Sequence, residues 1–130
     1  MIALDTNLLA RFIVGDDHAQ QKKAARLLAD GSEEFFVGDT ALAEFVWVLD
    51  SVYGYGREDI GSALEALIHR SNINFEDEVR VRRAVRYFLE GGDFEDLIIL
   101  ARAQAEGCTA LASFDKGLKK RFPDFVVGPK

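Results

Sequence analysis

Apolar residues in this chain follow two rhythms: short continuous runs suited to buried strands, and longer stretches at the three- and four-residue spacing of helices. Residues 1–4 form a first apolar run, expected as a short buried strand ending at Asp5. Asn7 or Thr6 is placed to cap a helix over 8–14, which Gly15 stops. Asp17 opens a second helix to about residue 29, with Ala25, Leu27 and Leu28 facing the core, and Gly31 ends it. Residues 34–37, rich in Phe and Val, predict a second strand.

Asp39-Thr40 caps a helix to about residue 53 with an unusual make-up. Leu42, Phe45, Val46 and Leu49 keep one apolar face, and Trp47 and Val48 make the other side apolar too. A helix of that kind is expected to be buried all round, in part by a second subunit. Gly54 and Gly56 break the chain before an amphipathic helix with Ile60, Ala63, Leu64, Leu67 and Ile68 on one face. Ile73 and Phe75 alternate as a third strand, and Asp77-Glu78 opens a helix to Leu89. After Gly91-Gly92, residues 94–106 are again helical, with Gly107 in the C-terminal cap position. Residues 108–112 predict a fourth strand, 116–121 a short helix and 125–127 a fifth strand.

Strands alternating with helices predict an α/β fold, here a three-layer α/β/α sandwich around a mainly parallel five-stranded sheet. The 130 residues are expected to form one domain, 1–130, large enough to bury a core without a disulfide or metal staple. Cys108 stands alone, so no intramolecular disulfide forms and the cytoplasm is the expected compartment; the thiol is expected as a small buried strand residue. The opening residues lack the basic leader of a signal peptide, and no apolar run reaches the length of a membrane span. A net charge of −6 argues against holding duplex DNA through a broad basic face. It leaves a nuclease open, because a site for divalent cations is itself acidic and the cations supply the positive charge.

In parallel sheets, ligands bind outside the carboxyl ends of the strands. Asp5 directly follows the first strand and Asp115 the fourth. Glu44 lies early in the third helix, the one charged residue between Asp39 and Asp50, and Asp96 occupies the first turn of the helix that feeds the fourth strand. Taken singly, each acid is explained by capping and the helix dipole. Glu44 is the hardest to explain so, because an acid in an apolar stretch is costly without a partner. Jointly they are placed to meet at one sheet edge, where crowded carboxylates persist only when protonated or bridged by cations. Hard oxygen ligands suit Mg²⁺ or Mn²⁺, and such ions near a phosphodiester activate water and stabilise the attacking and leaving oxygens.

At these residues the chain resembles the PIN domains, in particular the VapC-type toxins of bacterial toxin–antitoxin pairs. The opening Ile2-Ala3-Leu4-Asp5-Thr6-Asn7 is similar to the family's first motif, Ala43-Glu44-Phe45 to the second, Gly92-Asp93-Phe94-Glu95-Asp96 to the third, and Ser113-Phe114-Asp115-Lys116 to the fourth. The resemblance covers essentially the whole chain. It implies an endoribonuclease dependent on Mg²⁺ or Mn²⁺, with Asp5, Glu44, Asp96 and Asp115 as catalytic metal ligands and Thr6, Asn7 and Ser113 supporting them. It also implies an RNA substrate, a homodimer and a small antitoxin that covers the acidic site. Leu97 and Leu100 depart from the alanines frequent in the family, which concerns packing. Asp93, one turn before Asp96, either caps the helix or adds a carboxylate. Lys116, Lys119 and Lys120 either form a solvated face or contact substrate phosphates.

Other readings fit less well. A haloacid-dehalogenase-type phosphatase needs a second Asp two residues after the first, where this chain has Asn7. A receiver domain needs an acidic pair before its first strand, and Gly54-Tyr55-Gly56 is no dinucleotide loop. His18 and His69 fall on polar helix faces. A PIN-like module without catalysis, or a metal-dependent phosphatase, is the alternative; occupation of all four acid positions argues against the first.

Overall fold

Phe35, Phe36 and Val37 form a strand because aromatic and β-branched side chains suit a pleated, half-buried surface. In the computed structural model, which describes residues 1–129, this strand, β2 (Phe35–Val37), is central to a sheet with β1 (Ile2–Ala3) and β3 (Ile73–Phe75) on either side. Both neighbours run parallel to it, Ile2 opposite Phe35 and Phe35 opposite Ile73. Parallel pairing requires crossovers. Helices α1 (Thr6–Val14) and α2 (His18–Leu28) make the first, and α3 (Asp39–Ser51) and α4 (Arg57–Ile68) the second.

These elements belong to the first of two compact units, Met1–Val81. Its core is built of Leu9, Leu28, Phe35, Val37, Leu42, Phe45, Leu49 and Leu67, all closed to solvent. Gly15 turns the chain between α1 and α2 at φ 71°, a left-handed conformation that favours glycine. Arg11 clips the same turn through both oxygens of Asp16 at 2.9 Å, holding that carboxyl below its ordinary range. The Tyr53 hydroxyl donates to Asp16 at 3.1 Å and ties in the end of α3.

Helix α5 (Glu78–Leu89) leads into the second unit, which begins at Arg82 and contains α6 (Phe94–Ala105), β4 (Leu111–Ala112), α7 (Lys116–Arg121) and β5 (Val126–Val127). β4 and β5 are parallel, Leu111 opposite Val126. Phe94, Leu97, Leu100 and Val126 are buried here. Tyr87 lies so close over Gly92 that a Cβ there would come within 2.2 Å of the ring, and its other neighbour is the Phe122 ring at 5.4 Å.

All strand pairings are parallel, as the pattern predicts, though hydrogen bonds among the described residues divide the five strands into three and two. The amphipathic face of α4 and the bounds of α5 and α7 agree with the sequence reading. Several details differ. β1 is exposed, Ile2 at 42%, and only Leu4 beyond it is buried, because β1 borders its sheet. The core face of α2 is Ala24 and Leu28, with Ala25 exposed. α3 is not buried all round, since Trp47 is 61% exposed. Gly38, not Asp39-Thr40, is its N-cap; the Asp39 carboxylate turns inward to Arg80 at 2.9 Å. β4 starts only at Leu111, which leaves Cys108 exposed outside the strand. No helix among the described residues is long and apolar enough to cross a membrane.

Candidate active site

The first unit carries Asp5, Thr6, Asn7 and Glu44. Asp5 leaves β1 and is itself the N-cap of α1, its Oδ1 accepting from the Leu8 N–H at 2.9 Å. Thr6 and Asn7, the expected caps, therefore begin the helix. Capping engages one Asp5 oxygen, and the carboxylate is exposed. Thr6 is nearly buried, and its hydroxyl lies 3.2 Å from Glu44 Oε2 and 3.3 Å from the Ala41 carbonyl. One hydroxyl proton thus links the helix that Asp5 caps to the acid of α3. Glu44 is exposed, so it avoids the desolvation cost that an acid would meet on the buried face of α3. Asn7 is exposed and lines a groove of about 290 Å³ with Leu8, Arg11, Ala24 and Leu27.

The second unit carries the other acids. Asp93 is the N-cap of α6, accepting from the Asp96 N–H at 2.9 Å, which assigns it the capping role. Asp115 is the N-cap of α7, accepting from the Leu118 N–H at 2.8 Å. Ser113 supports it directly, its Oγ accepting from the Asp115 N–H at 3.0 Å. The half-buried Asp96 carboxyl is close enough to Asp93 and Asp115 to feel their charges. Burial, then the charges of Asp93 and Asp115, push its pKa from 3.8 to about 6. Asp96 and Asp115 thus form one interacting pair, with Asp93 charging the same neighbourhood.

Tyr87 also belongs to this neighbourhood. Its phenol is raised above its ordinary value by burial first and then by Asp115 and Asp96. Sequence reasoning missed it; the available signal was Gly92, the residue without a side chain on which its ring lies. Lys116, Lys119 and Lys120 are exposed on α7, while Arg121 of the same run pairs with Glu90.

A half-buried carboxyl whose pKa is raised by burial and by neighbouring carboxylates is chemically suited to a divalent cation, which relieves the repulsion. The donors are hard oxygens, which fit Mg²⁺ or Mn²⁺. Among the described residues, no three His, Cys, Asp or Glu side chains form a ready-made metal cage.

The VapC ribonuclease of Aquifex aeolicus (strain VF5) is 28% identical over 123 residues, 92% of this chain and 91% of that protein. The PIN domain model matches residues 2–121, running through both units and all four acids. This chain belongs to the PIN domain family.

Proposed function

We propose that this chain is a divalent-metal-dependent endoribonuclease and the toxin of a toxin–antitoxin pair, acting in the cytoplasm on RNA. In this reading the activity depends on acids of both units, Asp5 and Glu44 of the first and Asp96 and Asp115 of the second. The observation that carries it is the half-buried Asp96 carboxyl crowded by Asp93 and Asp115, with its pKa raised to about 6 by burial and by their charges. Keeping acids crowded costs stability unless they have a task. Family membership and the similarity to a protein named VapC ribonuclease support the choice of RNA as substrate.

Asp5, Asp96, Glu44 and Asp115 would hold the cation, either Mg²⁺ or Mn²⁺. When bound, it would supply Lewis-acid stabilisation of charge at the phosphodiester and lower the pKa of water. The protein's own groups do the rest. Thr6 keeps Glu44 oriented, Ser113 holds the backbone of Asp115, and Asp93 fixes the first turn that presents Asp96. Lys116, Lys119 and Lys120 attract the RNA backbone toward the acids. A homodimer formed through the exposed Trp47 side of α3, and a small antitoxin over the acidic site, complete the reading.

The test is cleavage of an RNA oligonucleotide with Mg²⁺ or Mn²⁺ and with a chelator, for wild type, Asp5→Asn and Asp96→Asn. Asn caps a helix about as well as Asp, so Asp5→Asn keeps α1 while removing the ligand charge. Metal-dependent cleavage by wild type and its loss in both variants is expected. Near wild-type turnover in either variant refutes that residue's role. Absent cleavage by wild type would favour a binding module, and cleavage that persists in chelator would refute the metal dependence.

A further inference from the structure

Phe114 is 88% exposed, more than any other large apolar side chain among the described residues. Local structure gives it no packing task. It precedes Asp115, the N-cap of α7, a position from which an apolar side chain often folds over the fourth helical residue. Here that residue is Lys119, and the ring stays in solvent. Its backbone is nevertheless well held. The Ser113 N–H donates to the Val127 carbonyl at 3.0 Å, Ser113 Oγ accepts from the Asp115 N–H, and Asp115 Oδ1 accepts from the Leu118 N–H. The ring thus projects from an anchored segment, one residue from Asp115, or about 3.8 Å between Cα atoms. The helix that follows carries Lys116, Lys119 and Lys120, all exposed.

We propose that Phe114 is a stacking platform for an unpaired base next to the phosphodiester cut at Asp115. The proposal rests on the nuclease reading above. An aromatic ring beside exposed lysines is the pairing that holds single strands, because lysines attract phosphates and the ring stacks on any base. A base inside a duplex is already stacked on its neighbours and has no free face to offer.

The experiment compares wild type, Phe114→Ala and Phe114→Trp on three substrates once the cut is mapped. These are a single-stranded RNA oligonucleotide, the same sequence closed in a duplex, and a copy made abasic beside the cut. Binding without turnover is read by fluorescence anisotropy in an Asp96→Asn background, with and without Phe114→Ala. With the intact single strand, Phe114→Ala should raise KM and Kd about 5- to 150-fold, the equivalent of the ~1–3 kcal/mol per base contributed by stacking. Tryptophan should restore both, the abasic copy should erase the difference between wild type and Phe114→Ala, and the duplex should be cut poorly. If wild type cleaves RNA and Phe114→Ala leaves KM and Kd unchanged, the stacking role is overturned while the nuclease stands. If Phe114→Ala instead reduces self-association by light scattering with KM unchanged, the ring serves a protein contact and the proposal is likewise overturned. Failure of wild type to cleave RNA with either cation overturns the nuclease reading, and the proposal with it.

Discussion

Replacing Asp96 with Asn should make the metal-free protein more stable at neutral pH while abolishing its activity. Asp96 binds its proton more tightly in the folded chain, up to about pH 6, than at its ordinary value of 3.8. Its contribution therefore favours the fold below the ordinary value and is lost as pH climbs through the folded one. Fully felt, the difference amounts to about 3 kcal/mol, at ~1.36 kcal/mol per pH unit. Asp96 is only half-buried, and solvent screening reduces this to roughly 1–2 kcal/mol. Asn also gives up a favourable charge in the first turn of α6, about 0.3–1 kcal/mol. The net gain is about 1 kcal/mol, or roughly 3–5 °C in Tm for a chain of this length. The assay is thermal unfolding of wild type and Asp96→Asn in chelator between about pH 4 and about pH 7.5. The variant should melt higher near pH 7.5, and the gap should close toward pH 4, where wild-type Asp96 is protonated. Divalent cation should reverse the order at pH 7.5, because binding only the folded state adds about 2.7 kcal/mol at a hundredfold excess over Kd and the variant lacks the ligand charge. A variant no more stable than wild type at pH 7.5 in chelator, or a gap that does not change with pH, would refute the reasoning.

Two further outcomes follow from contacts made elsewhere in the chain. Thr6→Val should lower stability by about 0.5–1.5 kcal/mol, the worth of one hydrogen bond, and reduce cleavage as Glu44 loses its tether, with Thr6→Ser restoring both. Urea midpoints and cleavage rates check this, and unchanged cleavage by the valine variant would remove Thr6 from the site. Wild type should self-associate at high micromolar concentration by light scattering, and Trp47→Glu should be monomeric with nearly unchanged Tm, since Trp47 is 61% exposed. A wild type that stays monomeric counts against the interface.

Local pattern was enough wherever one face of an element decides its fate. The five apolar residues assigned to α4 are all buried, and α5 and α7 run over the residues that their opening acids and periodicity indicate. Three of the four candidate acids hold positions legible for the same reason. Asp5 and Asp115 follow strands within three residues and cap the next helices, and Asp96 follows its own cap by three residues, relations that lie within one turn of chain.

Long-range partners decided the rest. Asp39 reads locally as a cap, yet its carboxylate turns to Arg80, 41 positions away, and Gly38 is left to cap α3. Glu44 reads as an acid stranded in an apolar helix; what accommodates it is solvent on one side and Thr6, 38 positions away, on the other. The phase of α2 was ambiguous because Ala24 and Ala25 are equally small and apolar, and only packing buries the first and exposes the second. Neither the proximity of Tyr87 to the acids nor the isolation of the Phe114 ring appears in any spacing. Periodicity reports which face of an element is apolar. Which distant side chain meets a polar group, and whether a given aromatic ring is covered, is settled only when the chain packs.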